Sequence, residues 1–155
     1  VDSIVLCANT AHLFADELQA AIGLPVIHIG VETAKAVTSH GFKKAGLLGT
    51  KFTMEMDFYK KKLKEYGVDV LIPQKQETRD YIQHTIKEEL GIGFINPETR
   101  KKYISIAEEL VDRGAECVIL GCTEIPMLIS QDDLTIPIFD TTKIHSQAIV
   151  DYMIS

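Results

Sequence analysis

The chain has 155 residues, 46% of them hydrophobic and 25% charged, enough apolar material for one packed domain or for two small lobes that share a boundary. Its 16 basic and 22 acidic side chains leave a net charge of −6, which argues against nucleic acid or an anionic membrane surface as partner. No run of about 18 apolar residues is present to span a bilayer, no basic and then apolar leader opens the sequence, and the 3 cysteines are an odd count that does not suit a secreted disulfide framework. The compartment is therefore read as reducing and cytosolic.

Short apolar runs alternate with longer amphipathic ones, the signature of βαβ units around a parallel sheet. A strand is expected at 3–7 and a helix at 11–22, with Leu13, Phe14, Leu18, Ala21 and Ile22 on one stripe and Gly23 and Pro25 ending it. The strand "PVIHI" then leads to a helix at 31–40 closed by Gly41. The pattern restarts with the strand "KAGLLGT", a helix at 54–66 ended by Gly67, the strand "VDVLIP" and a helix at 76–90. A helix at 98–113, ended by Gly114, feeds the strand "ECVILG". A short helix, "DDLTIPIFDTT" and a last helix at 143–154 finish the chain. The lysines at 60, 61, 62 and 64 read as the solvated face of one helix. Boundaries are expected near Gly41 and Pro137, so that residues 1–40 with 137–155 form one lobe and 41–136 the other. Because the chain opens at Val1 directly in a strand-like segment, an N-terminal portion is expected to be missing.

Two junctions repeat one design. "IVLCANTAH" at 4–12 and "VILGCTEIP" at 118–126 are β-branched runs that stop at a cysteine and continue into small polar residues. In an open parallel sheet, ligands collect at the carboxyl ends of the strands, where Cys7 and Cys122 fall. Asn9, Thr10 and Thr123 follow as helix-capping types, so each thiol is expected to face backbone N–H groups, an environment that lowers a thiol pKa from about 8.5 toward neutrality. One thiolate and one thiol on opposite sides of a tetrahedral carbon can remove a proton from one face and return one to the other. That inverts the centre without a metal or pyridoxal group, and no motif for either cofactor is visible. Cys117 lies inside its strand and is assigned to packing.

These residues resemble a known family. C-A-N-T-A-H at 7–12 and G-C-T-E at 121–124 look like the paired signatures of the aspartate/glutamate racemases, "LLGTKFTMEMDFY" at 47–59 is similar to the opening of their second lobe, and "FDTTKIHSQAIVDY" at 139–152 to their C-terminal helix. The resemblance implies an α/β fold of two pseudo-symmetric lobes with parallel sheets flanked by helices, and cofactor-independent racemisation with Cys7 and Cys122 as proton donor and acceptor. It also implies that Asn9, Thr10 and the N–H groups around Ala8 hold a substrate carboxylate, that Thr123 does similar work opposite, and that Thr50 adds a contact. Glu124 stands where the glutamate-specific branch usually has histidine, which points to aspartate or a broader acidic amino acid. The family carries a further strand and helix that would precede Val1, so the first lobe is expected to lack its N-terminal portion, to expose a strand edge and to be poorly active alone. A homodimer is implied as well.

Other readings are weaker. A zinc site from Cys7, His12, Cys117 and Cys122 lacks close ligand pairs, and "GLLGTKFT" at 46–53 has two residues rather than four between its glycines and no lysine directly after the second, so it is not a phosphate loop. His12 is read as bonding the loop around it, and His145 as a group that could approach the cleft. An isomerase or lyase acting on another small carboxylic acid is the enzymatic alternative, and a non-catalytic lobe binding acidic metabolites is the alternative of another class.

Overall fold

Ile4–Val5 (β1) and Val26–Ile27 (β2) pair in parallel, Ile4 beside Val26 and Val5 beside Ile27, in a computed structural model that describes residues 1–155. Between them, a 3₁₀ turn over Thr10–Phe14 leads into the helix α1, Ala15–Ile22. The helix α2, Ile29–Ser39, follows β2 at once.

A second sheet holds four parallel strands in the order β4-β3-β5-β6: Lys44–Gly49 (β3), Asp69–Leu71 (β4), Cys117–Gly121 (β5) and Ile138–Asp140 (β6). Helices Lys51–Glu55 (α3), Asp57–Glu65 (α4), Gln76–Glu88 (α5), Pro97–Asp112 (α6) and Thr141–Ile154 (α7) connect or follow these strands. None of the helices is long and apolar enough to cross a membrane.

The unbroken apolar runs of β3 and β5 follow from burial on both faces. Val118 and Leu120 point with Leu48 toward Ile82 of α5 and Tyr103 and Leu110 of α6. Their alternate neighbours Cys117 and Ile119 point with Ala45 and Leu47 toward Ala34 and Val37 of α2 and Tyr59 and Leu63 of α4. Gly67 and Gly114, expected as helix ends, hold φ of 79° and 95°, a region that glycine enters at no steric cost.

The element boundaries depart from the sequence reading in several places; the helix expected at 11–22, for one, is a 3₁₀ turn over Thr10–Phe14 and a helix from Ala15. The helix expected at 54–66 is two helices, because Thr50 caps an earlier start by accepting from the N–H of Thr53, and Met56 is extended (φ −76°, ψ 155°) between them. The helix α2 starts at Ile29 rather than 31, because His28 caps it through a side chain that accepts from the N–H of Gly30. Residues 138–140, expected with the first lobe, pair with β5 in the four-stranded sheet, and α2 packs on that sheet's face. The second sheet thus draws on residues from both sides of the expected boundaries.

Candidate active site

The central strands β3 and β5 run so close at their carboxyl ends that a Cβ on Gly49 would lie 2.8 Å from the Gly121 carbonyl oxygen. A side chain at position 49 would block this approach, which brings Thr50 and Cys122, the next residues of each strand, to one edge of the sheet. The loop after β1 is tied to both strand ends. Thr10 Oγ1 lies 3.0 Å from Thr50 Oγ1 and 3.4 Å from Thr53 Oγ1, and the last two hydroxyls are 3.0 Å apart, so three threonines bond the loop to the end of β3. Asn9 Nδ2 lies 3.0 Å from Thr141 Oγ1, which lies 2.8 Å from the Leu120 carbonyl oxygen, so the loop is also bonded to the end of β5.

The roles in that second chain are fixed. A carbonyl only accepts, so the single proton of Thr141 goes to Leu120, and Thr141 must accept from Asn9. Asn9 is 4% exposed. Its amide N–H is committed to Thr141, while its Oδ1 is buried without a partner, an open acceptor.

The two cysteines sit in different surroundings. Cys7 is exposed, and Cys122 is 4% exposed. Backbone N–H groups of Glu124 and Ile125 do face the Cys122 sulfur, as the sequence suggests, but burial and the Glu124 carboxylate 2.9 Å away outweigh them. The thiol is pushed up to about 12, the reverse of the lowering expected at this junction. Burial pulls the Glu124 carboxyl upward, yet hydrogen bonds from the Cys122 thiol, the Thr123 hydroxyl and its own N–H carry it below the usual glutamate range. The proton between sulfur and carboxylate therefore rests on sulfur.

The profile of the Asp/Glu/hydantoin racemases matches residues 1–149. The chain belongs to that family. It is 30% identical over 154 residues to the broad specificity amino-acid racemase RacX of Bacillus subtilis, covering 97% of this chain and 64% of that protein. It is 35% identical over 133 residues to a glutamate racemase of Sulfurihydrogenibium, covering 83% of this chain and 48% of that one. The chain thus spans about half to two-thirds of the length of these curated relatives. The crystal structure of PH1733, an aspartate racemase homologue from Pyrococcus horikoshii, superposes with a TM-score of 0.89 at 34% identity, over 100% of this chain and 68% of that one. The parallel sheets flanked by helices are those of this racemase family.

Of the residues singled out in the sequence, Thr10 and Thr50 meet directly, Asn9 bonds Thr141, Ala8 is exposed with its carbonyl oxygen 2.9 Å from His12 Nδ1, Cys122 and Glu124 pair with each other, and Thr123 is exposed. Cys117 is buried in the core of β5, where burial and nearby Glu116 push its thiol up to about 12. His145 is buried and its Nε2 donates to the Ile27 carbonyl oxygen at 2.7 Å. Thr53 and Thr141 were not singled out. Thr53, three residues after Thr50, had a usable signal in the capping spacing, whereas Thr141 had none that separates it from an ordinary first-turn threonine. A groove of about 920 Å³ between β2, α2 and α7 contains neither Cys7 nor Cys122 and stands apart from this constellation.

Proposed function

We propose that this chain carries the two sulfur bases of a cofactor-independent amino-acid racemase, with aspartate as its substrate. The observation that carries the reading is the bond chain Asn9–Thr141–Leu120, which ties the loop of Cys7, two residues from Asn9, to the strand of Cys122, two residues from Leu120. Cys122 starts as the thiol, because its pKa of about 12 keeps it protonated. In that round the Cys7 thiolate takes the α-hydrogen as a proton, the electron pair left on the α-carbon is held against the substrate carboxylate, and Cys122 delivers its proton to the opposite face. The product has the inverted centre and the two sulfurs have exchanged protonation states. The other enantiomer runs the sequence backward.

Hydroxyls and backbone N–H groups around Ala8, Thr10, Thr50 and Thr123 are the donors for the substrate carboxylates. Asn9, expected to hold a carboxylate, acts instead through its bond to Thr141, its Oδ1 being buried and able only to accept. Three free cysteines accord with a cytosolic setting, and exposed Ile92, Phe94 and Ile95 offer apolar surface to a homodimer.

A second reading, a broader substrate range, is favoured by the likeness to RacX over 97% of the chain and by the Glu124 carboxylate beside Cys122, which opposes a second negative charge nearby. The test uses the protein expressed from its complete reading frame, incubated in D₂O with L- and D-forms of aspartate, glutamate and neutral amino acids. Aspartate is expected to lose its α-proton signal by NMR and its optical rotation, and Cys7→Ala to abolish racemisation. No exchange with any amino acid, or racemisation unaffected in Cys7→Ala, overturns the proposal. Exchange of neutral amino acids as fast as aspartate selects the broader range.

A further inference from the structure

His12 is 2% exposed, and both of its ring nitrogens are engaged. Nδ1 lies 2.9 Å from the Ala8 carbonyl oxygen, which only accepts, so Nδ1 carries the proton. Nε2 accepts from the N–H of Ile29, the first residue of α2, at 3.1 Å. The two bonds fix one tautomer. A neutral ring with its proton donated and its lone pair filled has nothing left for proton transfer. Burial and then the neighbouring His145 keep it below the usual imidazole range, and the rings of His28 and His145 pack at centroid distances of 4.7 and 5.5 Å.

What the ring holds is the consequential part. The peptide group between Ala8 and Asn9 is planar and trans, so its C=O and N–H point in opposite directions. Anchoring the Ala8 carbonyl on His12 aims the Asn9 N–H away from the ring. It also restrains the torsions on either side of that peptide, next to Cys7. The Asn9 side chain is held independently by Thr141. The Cys7 loop is thereby clamped at its main chain by one residue and at its side chain by another.

We propose that His12 is a positioning residue for Cys7: as a neutral Nδ1–H imidazole it locks the Ala8–Asn9 peptide against the start of α2, so that the Cys7 sulfur meets the substrate in one geometry. The proposal rests on the reading of Cys7 as a base. Its signature is a rate effect that follows the bond to Ala8 and not the imidazole as such.

Two measurements test it in the protein expressed from its complete reading frame. In ¹⁵N NMR, His12 is expected as the uncharged Nδ1–H tautomer at neutral pH; an Nε2–H tautomer or a charged ring overturns the proposal without any variant. In kinetics, His12→Leu removes the donor and is expected to lose about 100-fold in kcat, the scale of a small misplacement of a reacting group, with KM changed by about threefold or less. His12→Asn keeps a side-chain N–H near the Nδ1 position and is expected to regain most of kcat. Equal losses in the two folded variants, in step with their thermal stability, assign His12 a purely structural role and overturn positioning. Should His12→Leu fail to fold, the tautomer and the kcat of His12→Asn decide. Retained racemisation in Cys7→Ala removes the underlying reading, whereas an inactive Cys7→Ala beside a fully active His12→Leu removes the positioning role alone.

Discussion

Cys122 Sγ donates to Glu124 Oε2 at 2.9 Å, and the carboxylate opposes any negative charge on that sulfur. Burial and this carboxylate hold the thiol at about 12. Replacing Glu124 with glutamine keeps the acceptor and removes the charge, so the thiolate becomes easier to form. Glu124→Gln is expected to raise the thiolate fraction of Cys122 at a fixed alkaline pH by about tenfold, the effect of removing one adjacent like charge. The Cys122 ¹³Cβ shift followed against pH measures this; an unmoved titration curve would mean that the carboxylate does not set the thiol's protonation.

The bond chain from Asn9 through Thr141 to the Leu120 carbonyl leads to a second expectation. Thr141→Val matches the shape but leaves the Asn9 amide N–H and the Leu120 carbonyl buried without this partner. Such losses cost about 1–3 kcal/mol each, and for a chain of this size each kcal/mol lowers Tm by about 2–4 °C. Thr141→Ser keeps the hydroxyl and is expected to stay near the parent Tm. Calorimetry on the two variants separates hydroxyl loss from methyl loss.

The facing glycines give a third. A Cβ on Gly49 would meet the Gly121 carbonyl oxygen at 2.8 Å, and that atom is main chain, which cannot rotate aside. Gly49→Ala is expected to push β3 and β5 apart at the end that presents Thr50 and Cys122, destabilising by about 1–3 kcal/mol and lowering kcat more than an equally destabilising change at the far end of β3. Ala45, 0% exposed in the core on that strand, supplies the comparison as Ala45→Gly. Equal activity loss per unit of stability in the two variants would mean that the approach of the strands serves packing alone.

Much of this arrangement was legible in residue order, because strands buried on both faces leave continuous apolar runs and helices end at glycine. β3, α6 and β5 lie within a residue or two of their expected positions for that reason. Both cysteine junctions were visible as strand ends followed by small polar residues. The protonation preference of Cys122 was not, because Glu124 reads in sequence as a mark of the substrate branch, and only the folded turn brings its carboxylate to the sulfur. The break at Met56 and the cap by His28 were also hidden: methionine carries no stop signal, and histidine is an uncommon cap. The placement of β6 beside β5, Ile138 opposite Val118, is a choice of sheet partner, which no local pattern encodes.

His28 couples the fold to acid. Burial first, then His12 and Lys62, lower it from 6.5 to about 4, against a smaller opposing pull from Asp16. The unfolded chain therefore takes up a proton at this residue, from about 6.5 downward, before the folded one does, so stability is full at neutral pH and is lost as pH falls through the window from 6.5 to about 4. Below that window the contribution is gone, at most about 3 kcal/mol for a shift of this size. The physical event is concrete, because Nδ1 of His28 accepts from the Gly30 N–H at 3.0 Å and a proton there would remove the cap of α2. His28→Asn retains a side-chain acceptor for that N–H but cannot titrate. Urea unfolding between pH 7 and pH 4 is expected to show a steeper loss of stability in the parent than in His28→Asn, and parallel curves for the two would place the acid sensitivity elsewhere in the chain.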